Sequence, residues 1–127
     1  MIAGIYNITC QQGSTFSRLL EIEQPDLEAD PTGQTYEPFD LSGFTARMQV
    51  RRTIESSTKL VELTTENNGL EINPTGETTN HIKIYMSDEV TASITSSGVY
   101  DLEIINGDGE VSRIMQGAFT LSPEVTR

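Results

Sequence analysis

From Phe44 to Arg51 the chain alternates without a break: Phe44, Ala46, Met48 and Val50 are apolar, while Thr45, Arg47, Gln49 and Arg51 are polar. A β-strand turns successive side chains to opposite faces, so this period of two gives the segment one dry face and one wet face. The same period recurs along the chain. Tyr6, Ile8 and Cys10 alternate with Asn7 and Thr9, and Phe16, Leu20 and Ile22 share a face on which Arg18 is the exception. Ile82, Ile84 and Met86 repeat the pattern, as do Tyr100, Leu102 and Ile104. A last strand from Glu110 to Leu121 sets Met115, Phe119 and Leu121 on a face with Gly117. A helix would need apolar residues at a spacing of 3–4, which these segments lack.

Turn chemistry punctuates the strands. Leu60 to Thr64 and Leu70 to Ile72 are separated by Asn67-Asn68-Gly69; Asn-Gly supplies positive φ, which predicts a hairpin. Asn73-Pro74-Thr75-Gly76 and Gly107-Asp108-Gly109 are further turns. Only Ser87 to Ile94 reads as helix, with Ser87 as cap and Asp88 and Glu89 in the first turn. It is expected as a crossover between sheet edges. Gln24 to Pro38 has no periodicity and is rich in acid, proline and threonine, which predicts an irregular loop over 24–38; long loops of this kind are often binding elements or disordered. The expectation is a single all-β domain over 1–127: a two-layer antiparallel β-sandwich, Ig-like or Greek-key, with one short helix and an extended C-terminal tail at 122–127.

The length of 127 residues suits one domain, and no internal repeat is visible. A formal net charge of -11 repels phosphate backbones and anionic lipid, so neither nucleic acid nor membrane is an expected partner. Cys10 is the single cysteine, so no intrachain disulfide forms, which is compatible with synthesis in a reducing cytoplasm. Met1 to Cys10 has neither the basic region nor the apolar run of a secretory signal.

Tests for chemistry come out negative. His81, the only histidine, stands at the start of a strand with no nucleophile motif beside it, which points to a solvated edge histidine. Cys10 falls on an apolar face, where a buried inert thiol is the default. Asp26-x-Glu28-x-Asp30 resembles a calcium loop, and Glu37 falls at the twelfth position, but the glycine due directly after Asp30 comes only at Gly33, after Pro31 and Thr32, so the spacing fails in its most demanding detail. Gly107-x-Gly109 joins two strands and reads as a turn rather than a phosphate cradle. No catalytic residue, cofactor, metal or small-molecule substrate is expected. One charge feature stands out: Arg47, Arg51, Arg52 and Lys59 fall within one strand and the loop after it. Two readings are open. They pair with acids on neighbouring strands, or they form a basic stripe that docks an acidic surface of another subunit.

Four stretches carry a resemblance. They are Gln12-Gly13-Ser14-Thr15-Phe16-Ser17-Arg18, Asp40 through Arg51, Gly98-Val99-Tyr100-Asp101-Leu102-Glu103, and Gly117 through Arg127. In this order, over about half the chain, the sequence resembles tailed-bacteriophage virion proteins, and in particular the N-terminal domain of the phage baseplate upper protein family. The resemblance implies a β-sandwich module of the tail, baseplate or neck, present in several symmetric copies, made in the host cytoplasm and incorporated into the virion. The chain carries the additional Gln24 to Pro38 segment and ends at Arg127 without a long fibre or receptor-binding region. Those departures favour an adaptor that docks other virion proteins. A capsid decoration protein and a receptor- or carbohydrate-binding adhesin are the alternatives, and a glycan hydrolase would need two carboxylates facing each other across a groove. The expected interface residues are Arg47, Arg51 and Arg52 on the stripe and Glu124, Val125, Thr126 and Arg127 in the tail. The N-terminal segment Met1 to Ile5 is expected to lie extended over a neighbour.

Overall fold

The structure, a computed structural model, describes residues 3–126. Eleven strands and one helix follow in order: β1 (Gly4–Ile5), β2 (Ile8–Gln11), β3 (Phe16–Glu21), β4 (Glu23–Pro25), β5 (Tyr36–Pro38), β6 (Thr45–Arg51), β7 (Val61–Thr64), β8 (Leu70–Ile72), β9 (His81–Met86), α1 (Asp88–Ser93), β10 (Gly98–Ile105) and β11 (Val111–Ser122). The fold is all-β with several sheets and one short helix. A large sheet has the order β1-β11-β10-β6-β7, with β2 also paired to β11. A small sheet has the order β3-β9-β8, and β4 and β5 form a separate ribbon.

Alternation decides which residues are inside. Ala46, Met48 and Val50 of β6, Leu102 and Ile104 of β10, and Ile82, Ile84 and Met86 of β9 are all buried and belong to one apolar cluster. Both sheets therefore feed the same core, and each fully buried aliphatic side chain stabilises it by about 1.5–3 kcal/mol. Arg18, the exception on its face, donates to the Tyr6 hydroxyl and lies over the Phe16 ring at 5.2 Å. Its stem is packed while its charge is satisfied.

Several expectations need correction. Asn67-Asn68-Gly69 turns the chain, with Asn68 at φ 66, but β7 and β8 are not a hairpin pair. β7 pairs with β6 and β8 with β9, so the turn carries the chain from the large sheet to the small one. The Asn67 side chain builds that corner: its Oδ1 accepts from Thr64 N at 2.8 Å and Gly69 N at 2.9 Å, and its Nδ2 donates to Glu62 O at 3.0 Å. The helix is capped as expected, Ser87 Oγ accepting from Val90 N at 3.2 Å. It joins β9 and β10, the middle strand of the small sheet and an interior strand of the large one, rather than sheet edges.

Segment 24–38 is closed at its base by a short strand pair, which the expectation of an irregular loop lacked, while residues 26–35 between the strands are turns. Glu23, Gln24 and Pro25 pair with Pro38, Glu37 and Tyr36. Asp30 Oδ1 caps the tip by accepting from Thr32 N at 3.0 Å and Thr32 Oγ1 at 2.6 Å.

The pairing is antiparallel except at the N-terminal edge, where β1 and β2 both run parallel to β11, Gly4 opposite Met115 and Ile8 opposite Phe119. Gly4 and Ile5 are thus a strand of their own sheet; Met1 and Ile2 are outside the described residues. The gap between β1 and β2 is closed by Tyr6 N donating to Gln116 O at 2.9 Å and Ala118 N donating to Asn7 Oδ1 at 3.0 Å. Gly117 makes this possible: a Cβ there would stand 2.9 Å from both Asn7 Oδ1 and Tyr6 C, and closer still to the Tyr6 carbonyl oxygen. The opposite strand uses the space, since the buried Tyr100 pairs with Gly117 and donates its hydroxyl to Tyr6 O.

Candidate functional site

The outer face of the large sheet gathers most of the chain's charge pairs. Across β6 and β10 the register sets Arg47 opposite Glu103, Gln49 opposite Asp101 and Arg51 opposite Val99. Across β10 and β11 it slips by one residue: Leu102 faces Met115 while Glu103 faces Arg113. Ile114 is the extra residue, and Ile114 and Met115 are both buried. Such a bulge re-aims the side chains that flank it. Here it brings Arg113 and Gln116 onto the outer face together, Arg113 donating to Gln116 Oε1 at 3.0 Å.

Arg47, Arg51, Arg52 and Lys59 lie at the surface among Glu62, Asp101 and Glu103, and they are used differently. Arg47 Nε pairs with Glu103 Oε1 at 2.7 Å and Lys59 Nζ with Glu62 Oε1 at 3.2 Å. Gln49 Nε2, donating at 2.6 Å, and then Lys59 hold the Glu62 carboxyl below its ordinary range. Arg51 donates to Ser56 O and Gln49 Oε1, each at 2.8 Å, and Arg52 donates to Ser96 Oγ at 3.2 Å. Among the described residues, neither Arg51 nor Arg52 has a carboxylate within salt-bridge distance, so intramolecular pairing accounts for only part of the stripe.

Between these side chains lies an open groove of ≈ 480 Å³. Val99 and Asp101 line it, with Arg51 and Arg113 beside them, and Ile5 and Ile54 reach it from β1 and from the loop after β6. Ile5 is 79% and Ile54 82% exposed, which makes them the apolar rims of a charged cleft. Burial, and then the neighbouring Glu103, raise the Asp101 carboxyl above its ordinary range, even though Arg113 faces it at 3.7 Å. Desolvation outweighs that exposed ion pair.

The C-terminal candidates lie away from the groove. Ser122 is the last residue of β11, and Glu124 N donates to Gln12 Oε1 at 2.9 Å. The Glu124 carboxylate covers Gly13, whose φ of 82 and lack of a side chain leave it room. Glu124 is therefore folded onto its own domain, Val125 is 90% exposed, Thr126 is exposed, and Arg127 lies outside the described residues. Arg113 was missed in the sequence, where the consecutive apolar pair Ile114-Met115 is the mark of the bulge that presents it.

The other chemical candidates have structural duties. His81 Nδ1 bonds Thr78 Oγ1 at 2.6 Å, and its backbone N donates to Asn73 Oδ1 at 3.0 Å within the β8–β9 connection. Cys10 is buried, and burial pushes its thiol up, away from the reactive thiolate. Asp26 Oδ1 accepts from Ala29 N at 3.1 Å, and the Thr32 hydroxyl and amide hold Asp30 below its ordinary range. Among the described residues no three His, Cys, Asp or Glu side chains are grouped to hold a metal ion.

Fold and face together define an all-β domain with a charged, apolar-rimmed groove on its larger sheet. No family model matches the chain, and no curated protein matches it by sequence.

Proposed function

We propose that this chain is a non-enzymatic structural protein of a tailed-phage virion. It is a two-layer sandwich of Ig-like or Greek-key type that serves as an adaptor of the tail, baseplate or neck and docks other virion proteins. The observation that carries the reading is the outer face of the large sheet. It holds arginines without carboxylate partners and large apolar side chains left in water, on a chain of net charge -11. Exposed apolar residues within a polar, charged surround are the signature of a contact surface.

The resemblance noted in the sequence supports the same reading. Its first segment falls on the turn into β3 of the small sheet, and the other three fall on the approach and length of β6, most of β10 and the end of β11, in the sheet that carries this face. The placement of β11 between the first strands, parallel to it, and β10, antiparallel to it, agrees with a sandwich whose first and last strands meet in one sheet.

Mass spectrometry of particles purified from a lysate of the phage that encodes the chain tests the proposal. The chain is expected in the particles at a fixed multiple of the baseplate or neck copy number. Its recovery only from the particle-free supernatant would refute the virion role, and a copy number matching the capsid would move it to the decoration class.

A further inference from the structure

Two surface features differ in the charge they carry: the β4–β5 hairpin has acids and no bases, and the outer face of the large sheet has basic residues standing among Glu62, Asp101 and Glu103. Glu23, Asp26, Glu28, Asp30 and Glu37 lie on or between β4 and β5, and no Lys or Arg occurs between Arg18 and Arg47. Arg47, Arg51, Arg52, Lys59 and Arg113, most of the 8 basic residues of the chain, sit on or beside the outer face of the large sheet.

The acidic hairpin stands off the body. Its strands pack chiefly on each other, and it is tied at its base by Phe39 N donating to Ile22 O at 3.0 Å and Ile22 N donating to Asn80 O at 2.8 Å. That base lies at the Glu21–His81 end of the β3–β9 pair, and no residue of the hairpin lines the groove of its own chain. A two-stranded ribbon without a packed face is marginal in water. This one leaves Leu27 61% and Tyr36 59% exposed.

We infer that the β4–β5 hairpin of one copy docks in the Arg51–Arg113 groove of a second copy, head to tail. The contact deepens the proposed assembly role and rests on it. The chemistry matches on both counts. Hairpin carboxylates meet Arg51 and Arg52, whose present partners are neutral oxygens, and Leu27 and Tyr36 meet the apolar rims Ile5 and Ile54. Two acidic bodies repel at long range, but at physiological salt the screening length is about 8 Å, so the local match decides the docked state. Because the two surfaces differ, the contact is heterologous, and repetition closes a ring or extends a filament.

The test is sedimentation velocity of the full chain at near-physiological salt, with circular dichroism of each protein to verify that it is folded. The wild type is expected to form concentration-dependent oligomers. The double variants Arg51→Glu/Arg113→Glu and Asp26→Lys/Glu28→Lys are each expected to be monomeric. Their equimolar mixture is expected to associate, because each reversed surface finds its complement in the other protein. A monomeric wild type, oligomers that survive either reversal, or folded variants that fail to associate on mixing would each overturn the contact. The virion role fails separately: a self-associating chain absent from particles overturns that role alone, and a monomeric chain that enters particles overturns only the homotypic contact.

Discussion

Replacing Gly117 by alanine places one methyl group where the backbone of the first strand crosses β11. The new Cβ stands 2.9 Å from Asn7 Oδ1 and from Tyr6 C, with the Tyr6 carbonyl oxygen nearer still. A flexible side chain would swing away, but the Tyr6 carbonyl is backbone and must take the chain between β1 and β2 with it. Three hydrogen bonds depend on that placement: Tyr6 N to Gln116 O, Ala118 N to Asn7 Oδ1, and the Tyr100 hydroxyl to Tyr6 O. At about 1 kcal/mol each their loss costs about 3 kcal/mol. The reduced freedom of the unfolded chain returns about 0.4–1 kcal/mol of this. The expected net loss is about 2 kcal/mol, a fall in Tm of about 8 °C for a domain of this size. Gly4→Ala is the control on the same edge, since its Cβ would meet nothing nearer than Ile114 O at 3.9 Å. Urea unfolding followed by circular dichroism gives both values, and hydrogen exchange at Ile8 and Cys10 tells whether the edge has opened. Equal stability of the two variants would refute the close approach of the first strand to Gly117.

Other consequences are open to measurement. Burial, and then Tyr6, push the Tyr100 hydroxyl up to about 12. The folded state therefore holds this proton more tightly than the unfolded chain, and the resulting stability is complete below pH ~10 and lost as pH rises toward 12. Tyr100→Phe is expected to cost about 1 kcal/mol at neutral pH and to flatten alkaline unfolding in that window; an unchanged alkaline profile would show that Tyr100 does not titrate there. Arg47→Ala removes an exposed pair and is expected to change stability by less than about 1 kcal/mol, with the difference shrinking at high salt. A loss above about 2 kcal/mol would make Arg47 part of the scaffold rather than of a contact face.

Much of the fold was legible because alternation reports directly on which side is dry. Every second residue from Ala46 to Val50 and from Tyr100 to Ile104 is buried, as the sequence pattern requires. Pairing partners were less legible. Asn68-Gly69 specifies a sharp turn, but whether β7 and β8 then lie side by side depends on β6 and β9, each a longer strand that presents a continuous dry face. The β4–β5 hairpin escaped notice because each strand has three residues and both contain proline, which leaves no alternation to count. The parallel N-terminal edge depends on where Gly117 falls relative to Tyr6, more than 100 residues apart. Of the candidate face, Arg47 and Arg51 could be read from β6 alone. Arg113 joins them only through a register slip between β10 and β11, and Ile5 and Ile54 reach the groove from segments distant in sequence.

The central claim is that the outer face of the large sheet is covered when the protein works. Val99 lines its groove, and Cys10, the only native thiol, is buried. Val99→Cys therefore places a single reactive thiol on the face, against a silent background. Maleimide labelling of this variant, free in solution and in particles assembled with it, measures the coverage. The thiol is expected to react readily in the free domain and to be protected at least about tenfold in the assembled state, the factor that 1.4 kcal/mol of burial supplies. Equal labelling rates in the two states would contradict the account, because the groove would then face solvent where it is meant to hold a neighbour.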